Sequence, residues 1–170
     1  MSYISYQSTK VSAGRSKERI SQLFHKYSAE RFSFEEDIQG ERIIIKFIFV
    51  PLNGGRLPAI IPIDVKRYVD VLFKKNPHTP RMKKDILSHR AMLLEQSKKA
   101  VWRIAEHWLK ATFEAIEFGI ITFEDAFLSN FGYELPNGEI KRIGDFAQKI
   151  LANPQNTIRL LEGANRRDKL

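Results

Sequence analysis

The sequence predicts an α+β fold: a small N-terminal antiparallel sheet packed on a long central helix, with short C-terminal helices. Three observations predict it. In Arg31–Glu35 residues alternate with period two, the spacing of side chains on one face of a strand, and Arg42 to Val50 is a run of isoleucine and phenylalanine typical of strands. From roughly Lys83 to Phe118 they recur at helical spacing. The length, 170 residues with 43% hydrophobic, is that of one ordinary domain with a single core. The expected organisation is a single domain over residues 1–151, with a sheet layer in 1–65 and a helical layer in 66–151. A loosely ordered basic tail would occupy 152–170.

Taken in order, Tyr3-Ile4-Ser5-Tyr6 reads as a short first strand. Ser16 is the expected N-cap of the first helix, since its hydroxyl can accept from free amides of the first turn. Ile20, Leu23, Phe24 and Tyr27 then form one apolar stripe. In Arg31–Glu35, Phe32 and Phe34 share a face, and Asp37 to Gly40 reads as a turn. The strongest strand signal is Arg42 to Val50. Ile43, Ile45, Phe47 and Phe49 point one way, and Arg42, Ile44, Lys46 and Ile48 point the other. Both faces are partly apolar, so this strand should be central and covered on one side by helix. Pro51 to Gly55 reads as a hairpin loop. The return strand, Leu57 to Ile63, carries Pro58 and Pro62, which lack amide donors and place it on an edge. The expected order is β-α-β-β-β.

In the second half, Val65, Tyr68, Val69, Leu72 and Phe73 have helical spacing, and Pro77 and Pro80 break the segment around His78. In the long helix Leu87, Leu94, Val101, Trp108 and Ala115 are spaced by sevens, and Trp102, Leu109, Phe113 and Ile116 widen the stripe. Its polar remainder is Arg103, Glu106, His107, Lys110, Glu114 and Glu117. Such a helix needs cover over most of its girth. The preferred reading is a core helix under the sheet, and the heptad spacing is also compatible with a homodimer seam. Gly119 suits the C-terminal cap, and Thr122 caps a short helix from Phe123 to Asn130. Leu135-Pro136-Asn137-Gly138 reads as a turn, and Asp145 to Leu151 as a last helix.

Composition narrows the function. There is no cysteine, which removes disulfides, thiolate metal sites and thiol catalysis. No apolar run approaches the roughly 18–20 residues of a membrane span, and Met1-Ser2-Tyr3-Ile4 lacks a signal-peptide layout. The expectation is a soluble protein with no membrane partner. The net charge is +8, and eight Lys or Arg between Lys66 and Arg90 face only Asp70 and Asp85, so this segment alone nets +6. Lys66, Arg67, Lys74, Lys75, Arg81, Lys83, Lys84 and Arg90 are therefore the candidate contacts to DNA or RNA, through phosphate charge and counterion release. Tyr68, Phe73 and His78 lie among them as candidate stacking residues. The competing reading is a solvated helix surface with these aromatics turned inward.

No residues point to catalysis, so no catalytic residue, metal or cofactor is expected. His25, His78, His89 and His107 lack the i, i+4 pairing of a helical zinc site. His107 beside Glu106, with Glu114 two turns on, resembles an acid–base pair on paper but reads better as a surface histidine. Asn53-Gly54-Gly55 lacks the glycine spacing and following lysine of a phosphate loop, and no serine has a nucleophile-elbow context.

The block Trp102-Arg103, Trp108, Ala111, Ile116-Glu117-Phe118-Gly119-Ile120 and Phe127-Leu128, followed by Leu135-Pro136-Asn137-Gly138, resembles a group of short proteins encoded by tailed bacteriophages and prophages. The opening, with its helix from near Ser16 to Tyr27-Ser28-Ala29, is also similar to that group. The resemblance implies a phage origin and a location in the bacterial cytoplasm rather than an activity. The Pro77-His78-Thr79-Pro80 linker, the lysine density before the long helix and the tail past Leu151 depart from the group's pattern. The leading expectation is a non-enzymatic phage or prophage accessory protein that binds nucleic acid. The alternative is a module that engages a host or phage protein, for example to inhibit a defence system, through a patch near Phe123, Phe127 and Phe131.

Overall fold

The computed structural model describes residues 6–37, 39–50, 55–79, 85–135 and 140–152, with Glu134 described by its backbone alone. It is an α+β fold: a three-stranded antiparallel sheet near the N-terminus, a 32-residue central helix and short C-terminal helices.

Helix α1, Ala13–Lys26, is capped by Ser12, whose hydroxyl accepts from the Arg15 amide at 3.2 Å. The expected cap, Ser16, lies inside the helix instead. Its hydroxyl turns inward to the Glu106 carboxylate at 2.8 Å, and the cap falls to the serine four residues earlier. Ile20 and Phe24 are fully buried, as the apolar stripe requires. Strands β1 (Arg31–Glu36), β2 (Arg42–Phe49) and β3 (Leu57–Asp64) form an antiparallel meander with β2 in the middle. Ile43, Ile45 and Phe47 are buried beneath the helices, and Ile44, Lys46 and Ile48 are half-buried on the other face. Phe34 meets Trp102 edge-on, with ring centroids 5.4 Å apart, and Phe47 and Phe24 are 4.8 Å apart. The Asp37–Gly40 turn is closed by a bond from the Gly40 amide to the Asp37 carbonyl, with Gly40 at φ +68°.

Asp64 ends β3 and caps α2, Val65–Lys75. The long helix α3, Ile86–Glu117, starts on the Asp85 cap, and Gly119 follows it at φ +69°, a conformation that costs glycine little. Thr122 caps α4, Phe123–Phe127, and a 3-10 turn continues to Asn130. Two short strands, β4 (Gly132–Glu134) and β5 (Ile140–Arg142), pair as a hairpin, a second sheet that the sequence reading did not anticipate. Three-residue strands are too short to show a period of two. Helix α5, Ile143–Leu151, begins two residues before the expected start.

Two expectations are corrected by burial. Phe123, Phe127 and Phe131 form no surface patch: all three are core, and Phe127 packs on Phe47, Phe113 and Phe123. The heptad line of α3 is not its buried stripe, since Leu87 is 76% and Trp108 41% exposed. The buried positions are His89, Leu93, Ser97, Ala100, Val101, Trp102, Ala105, Glu106, Leu109 and Phe113, because α1, α2 and the sheet all pack on this helix. The first strand, expected at Tyr3–Tyr6, falls mostly outside the described residues; Tyr6 itself is in a turn at φ 61°. The loop at 51–54, the 136–139 turn and the tail from 153 also fall outside them. Among the described residues, no helix is long and apolar enough to cross a membrane.

Candidate nucleic-acid interface

The basic stretch falls on α2, on the linker after it and on the start of α3. An amphipathic pattern decides what α2 leaves to solvent. Val65, Val69 and Leu72 are buried, and Tyr68 and Phe73 lean on the same core. At 100° per residue the opposite arc holds Lys66, Arg67, Asp70, Val71, Lys74 and Lys75, and all six are exposed. Lys66 and Arg67 stand about 12 Å along the axis from Lys74 and Lys75.

The two ends of this helix differ electrostatically. Lys74 and Lys75 in the last turn oppose the negative end of the helix dipole, a favourable place for cations. Lys66 and Arg67 lie in a first turn with no acidic residue, against the positive end. The Asp64 cap, which accepts from the Arg67 amide at 3.1 Å, offsets part of that cost.

His89 secures the next corner. It is buried, with Nε2 2.8 Å from the Asn76 carbonyl and its ring 5.9 Å from those of Phe73 and His78. The end of α2 is thereby tied to the start of α3, where Arg90, next to His89, is exposed. Arg81, Lys83 and Lys84 lie outside the described residues.

Ion pairing separates this group from many of the other cations. Lys46 meets Glu35 at 2.6 Å, Arg56 meets Glu30 at 2.8 Å, and Lys26 meets Glu117 at 3.1 Å. Lys98, Lys110 and Arg142 also have carboxylate partners. Lys66, Arg67, Lys74 and Arg90 make no ion pair with any described residue, so their charge remains available. Lys10, Arg15, Arg31, Arg42, Lys99 and Lys149 share that state, and Arg42 lines one cavity with Lys66, beside Asp37, Glu41 and Asp64.

Of the two readings of Tyr68, Phe73 and His78, stacking or an inward turn, their placement supports the second, as the position of Tyr68 and Phe73 on the apolar stripe favoured. Tyr68 and Phe73 pack on the core, and His78 is half-buried beside His89. The exposed face of α2 thus presents charge and the single apolar side chain Val71, a surface suited to phosphates rather than bases.

The other constellations resolve differently. His107 stacks on Tyr6, with ring centroids 5.4 Å apart, while the neighbouring Glu106 carboxylate turns to Ser16, Arg19 and Arg103. Burial alone would raise the Glu106 carboxyl. The Ser16, Arg103 and Arg19 donors outweigh it and hold the group below its ordinary value. Sequence spacing placed Glu106 on the polar face, and its burial depends on Ser16, ninety residues away. Away from the helices, the outer sheet face forms a shallow groove of about 410 Å³, with Ile48, Pro58 and Ile60 against Gly132 and Ile140, and Arg31 and Lys46 at its rim. The alternation of β2 signalled Ile48 there; the only sequence signal for the β4–β5 wall was the turn read at Leu135-Pro136-Asn137-Gly138 between its strands. Among the described residues, no three His, Asp or Glu side chains are grouped to hold a metal ion.

Comparison with protein-family models, with curated proteins and with solved structures finds no match for this chain.

Proposed function

We propose that this chain is a phage or prophage accessory protein that acts by binding nucleic acid rather than by catalysis. The carrying observation is the exposed, cation-rich arc of α2, with Arg90 exposed at the start of α3: Lys66, Arg67, Lys74 and Arg90 lack carboxylate partners among the described residues. Free lysine and arginine charges neutralise phosphates and release condensed counterions, which favours association at low salt. The inward turn of Tyr68 and Phe73 makes the contact one to the backbone, so little sequence preference is expected. The phage origin rests on the likeness of the Trp102–Leu128 block.

The test is binding to labelled single-stranded DNA, duplex DNA and RNA over a salt series. Log affinity should fall linearly with log salt, by about 0.9 per phosphate contact on duplex and about 0.7 on single strands. Replacing Lys66, Arg67 and Lys74 by glutamate should weaken binding and flatten that slope. Absence of binding at low salt, or an unchanged affinity in the triple variant, would overturn the proposal.

A second reading, engagement of a host or phage protein, is supported by a different surface from the one expected. Phe118 and Ile120, at the turn after α3, are 77% and 78% exposed, with Leu128 exposed after α4. Large apolar side chains left in water at one turn are a feature of protein-binding surfaces.

A further inference from the structure

The outer edge of β1 has no partner strand among the described residues, because the sheet order is β1-β2-β3. Its hydrogen-bonding groups can be assigned. The Asp37 amide donates to the Arg42 carbonyl at 3.1 Å, and β1 pairs with β2 in the register Arg31↔Ile48 to Glu36↔Ile43. In an antiparallel ladder every second residue bonds to the neighbouring strand. Arg31, Ser33 and Glu35 therefore bond toward β2, while the amides and carbonyls of Phe32, Phe34 and Glu36 point out of the sheet.

The opposite edge is treated differently. By the same alternation Pro58 and Pro62 sit on β3 where an outward amide would be, and the Asn130 side chain donates to the Ile60 carbonyl at 3.2 Å. Proline and a covering side chain blunt an edge, as does a row of like charges. The β1 edge has neither proline nor a single sign of charge. Arg31 and Glu35 stand two residues either side of Ser33, both on the outer face of the sheet.

We propose that β1 pairs with β1 of a second copy of this chain, antiparallel about a two-fold axis at Ser33. This register sets Phe32 opposite Phe34 of the other copy, and both have outward backbone groups, as a hydrogen-bonded pair requires. It sets Arg31 opposite Glu35 of the other copy, twice by symmetry. Arg31 has no ion pair with a described residue, and the 49% exposed Glu35 side chain holds only Lys46, at 2.6 Å. Two half-buried phenylalanines from each copy gain an aromatic cross-strand neighbour. The result is a continuous six-stranded sheet.

The long helix is the competing contact between copies. Its exposed heptad residues Leu87 and Trp108 are interrupted by buried Val101, which leaves two patches rather than a seam. The β1 contact is independent of the nucleic-acid reading and uses none of its residues.

Analytical ultracentrifugation over a concentration series tests the proposal. The natural chain should show a concentration-dependent dimer, since the five residues Arg31–Glu35 of each copy make a small interface. Arg31→Glu, at an exposed side chain, should keep the far-UV circular dichroism and weaken the dimer by about tenfold or more, because two like-charge pairs now face each other. Glu35→Arg should do the same. Mixing the two variants in equal amounts should restore the dimer, because each Glu at position 31 then meets an Arg at position 35. A natural chain that stays monomeric at its highest soluble concentration overturns the proposal. So does an Arg31→Glu dimer of unchanged affinity, and loss of that dimer with Trp108→Ala would assign the contact to α3.

Discussion

Glu106 accepts hydrogen bonds from the Ser16 hydroxyl at 2.8 Å, from Arg103 at 2.6 Å and from Arg19 at 3.1 Å, and so ties α1 to α3. With 6% of its surface exposed, it depends on those donors to remain ionised. Its carboxyl is held below the ordinary value of 4.5. A group whose folded value is depressed adds stability that is present above the unfolded value and is lost as pH falls through the folded one. Acid titration of the natural chain, followed by circular dichroism, should therefore lose stability below about pH 4.5, and Glu106→Gln should flatten that limb. Glu106→Ala should cost about 2 kcal/mol in urea unfolding. That is less than a fully buried pair would cost, because Arg19 and Arg103 can still reach water.

At the scale of elements, α2 joins a core-facing stripe to a cationic arc, and the two make opposite demands. Charge reversal at Lys66 and Arg67 replaces cations with carboxylates in the first turn, where the helix dipole favours them by about 0.5 kcal/mol each. The Lys66→Glu/Arg67→Glu variant should therefore melt at or slightly above the temperature of the natural chain while binding oligonucleotides more weakly. Thermal denaturation beside a binding titration reads both effects. A fall in melting temperature would show these cations to be structural. The arc was legible in the sequence: Val65, Val69 and Leu72 define the buried side, and the lysines fall opposite. Charge availability was not legible, because whether a lysine meets a carboxylate depends on elements such as α1 and β1, or β1 and β2, that meet only in the folded chain.

At the scale of the whole molecule, Trp102 is fully buried, with Phe34 of β1 edge-on and the Lys17 ammonium of α1 over its ring at 4.8 Å. The same hydrophobic cluster contains Ile45 and Ala59 of the sheet, Val69 of α2, Leu109 of α3 and Phe127 of α4. Sheet and helices therefore share one core. Urea unfolding followed by tryptophan fluorescence and by far-UV circular dichroism should give coincident transitions. Separate midpoints would mean that the sheet and the long helix unfold independently.

The sequence by itself determined the α+β class, the meander with β2 at its centre, the long helix and its Gly119 end, the Thr122 cap and the solvent-facing cations of α2. These follow from periodicity, capping and turn chemistry, which act over a few residues. Only the tertiary structure decided that Ser16 leaves its cap role for Glu106, that Phe123, Phe127 and Phe131 are core, and that Leu87 and Trp108 of α3 face water. It alone showed the β4–β5 hairpin and, among the described residues, an edge of β1 without a partner strand. How far a helix turns about its axis, and which edge stays bare, are settled by surfaces brought together from distant parts of the chain, and local pattern carries no record of them.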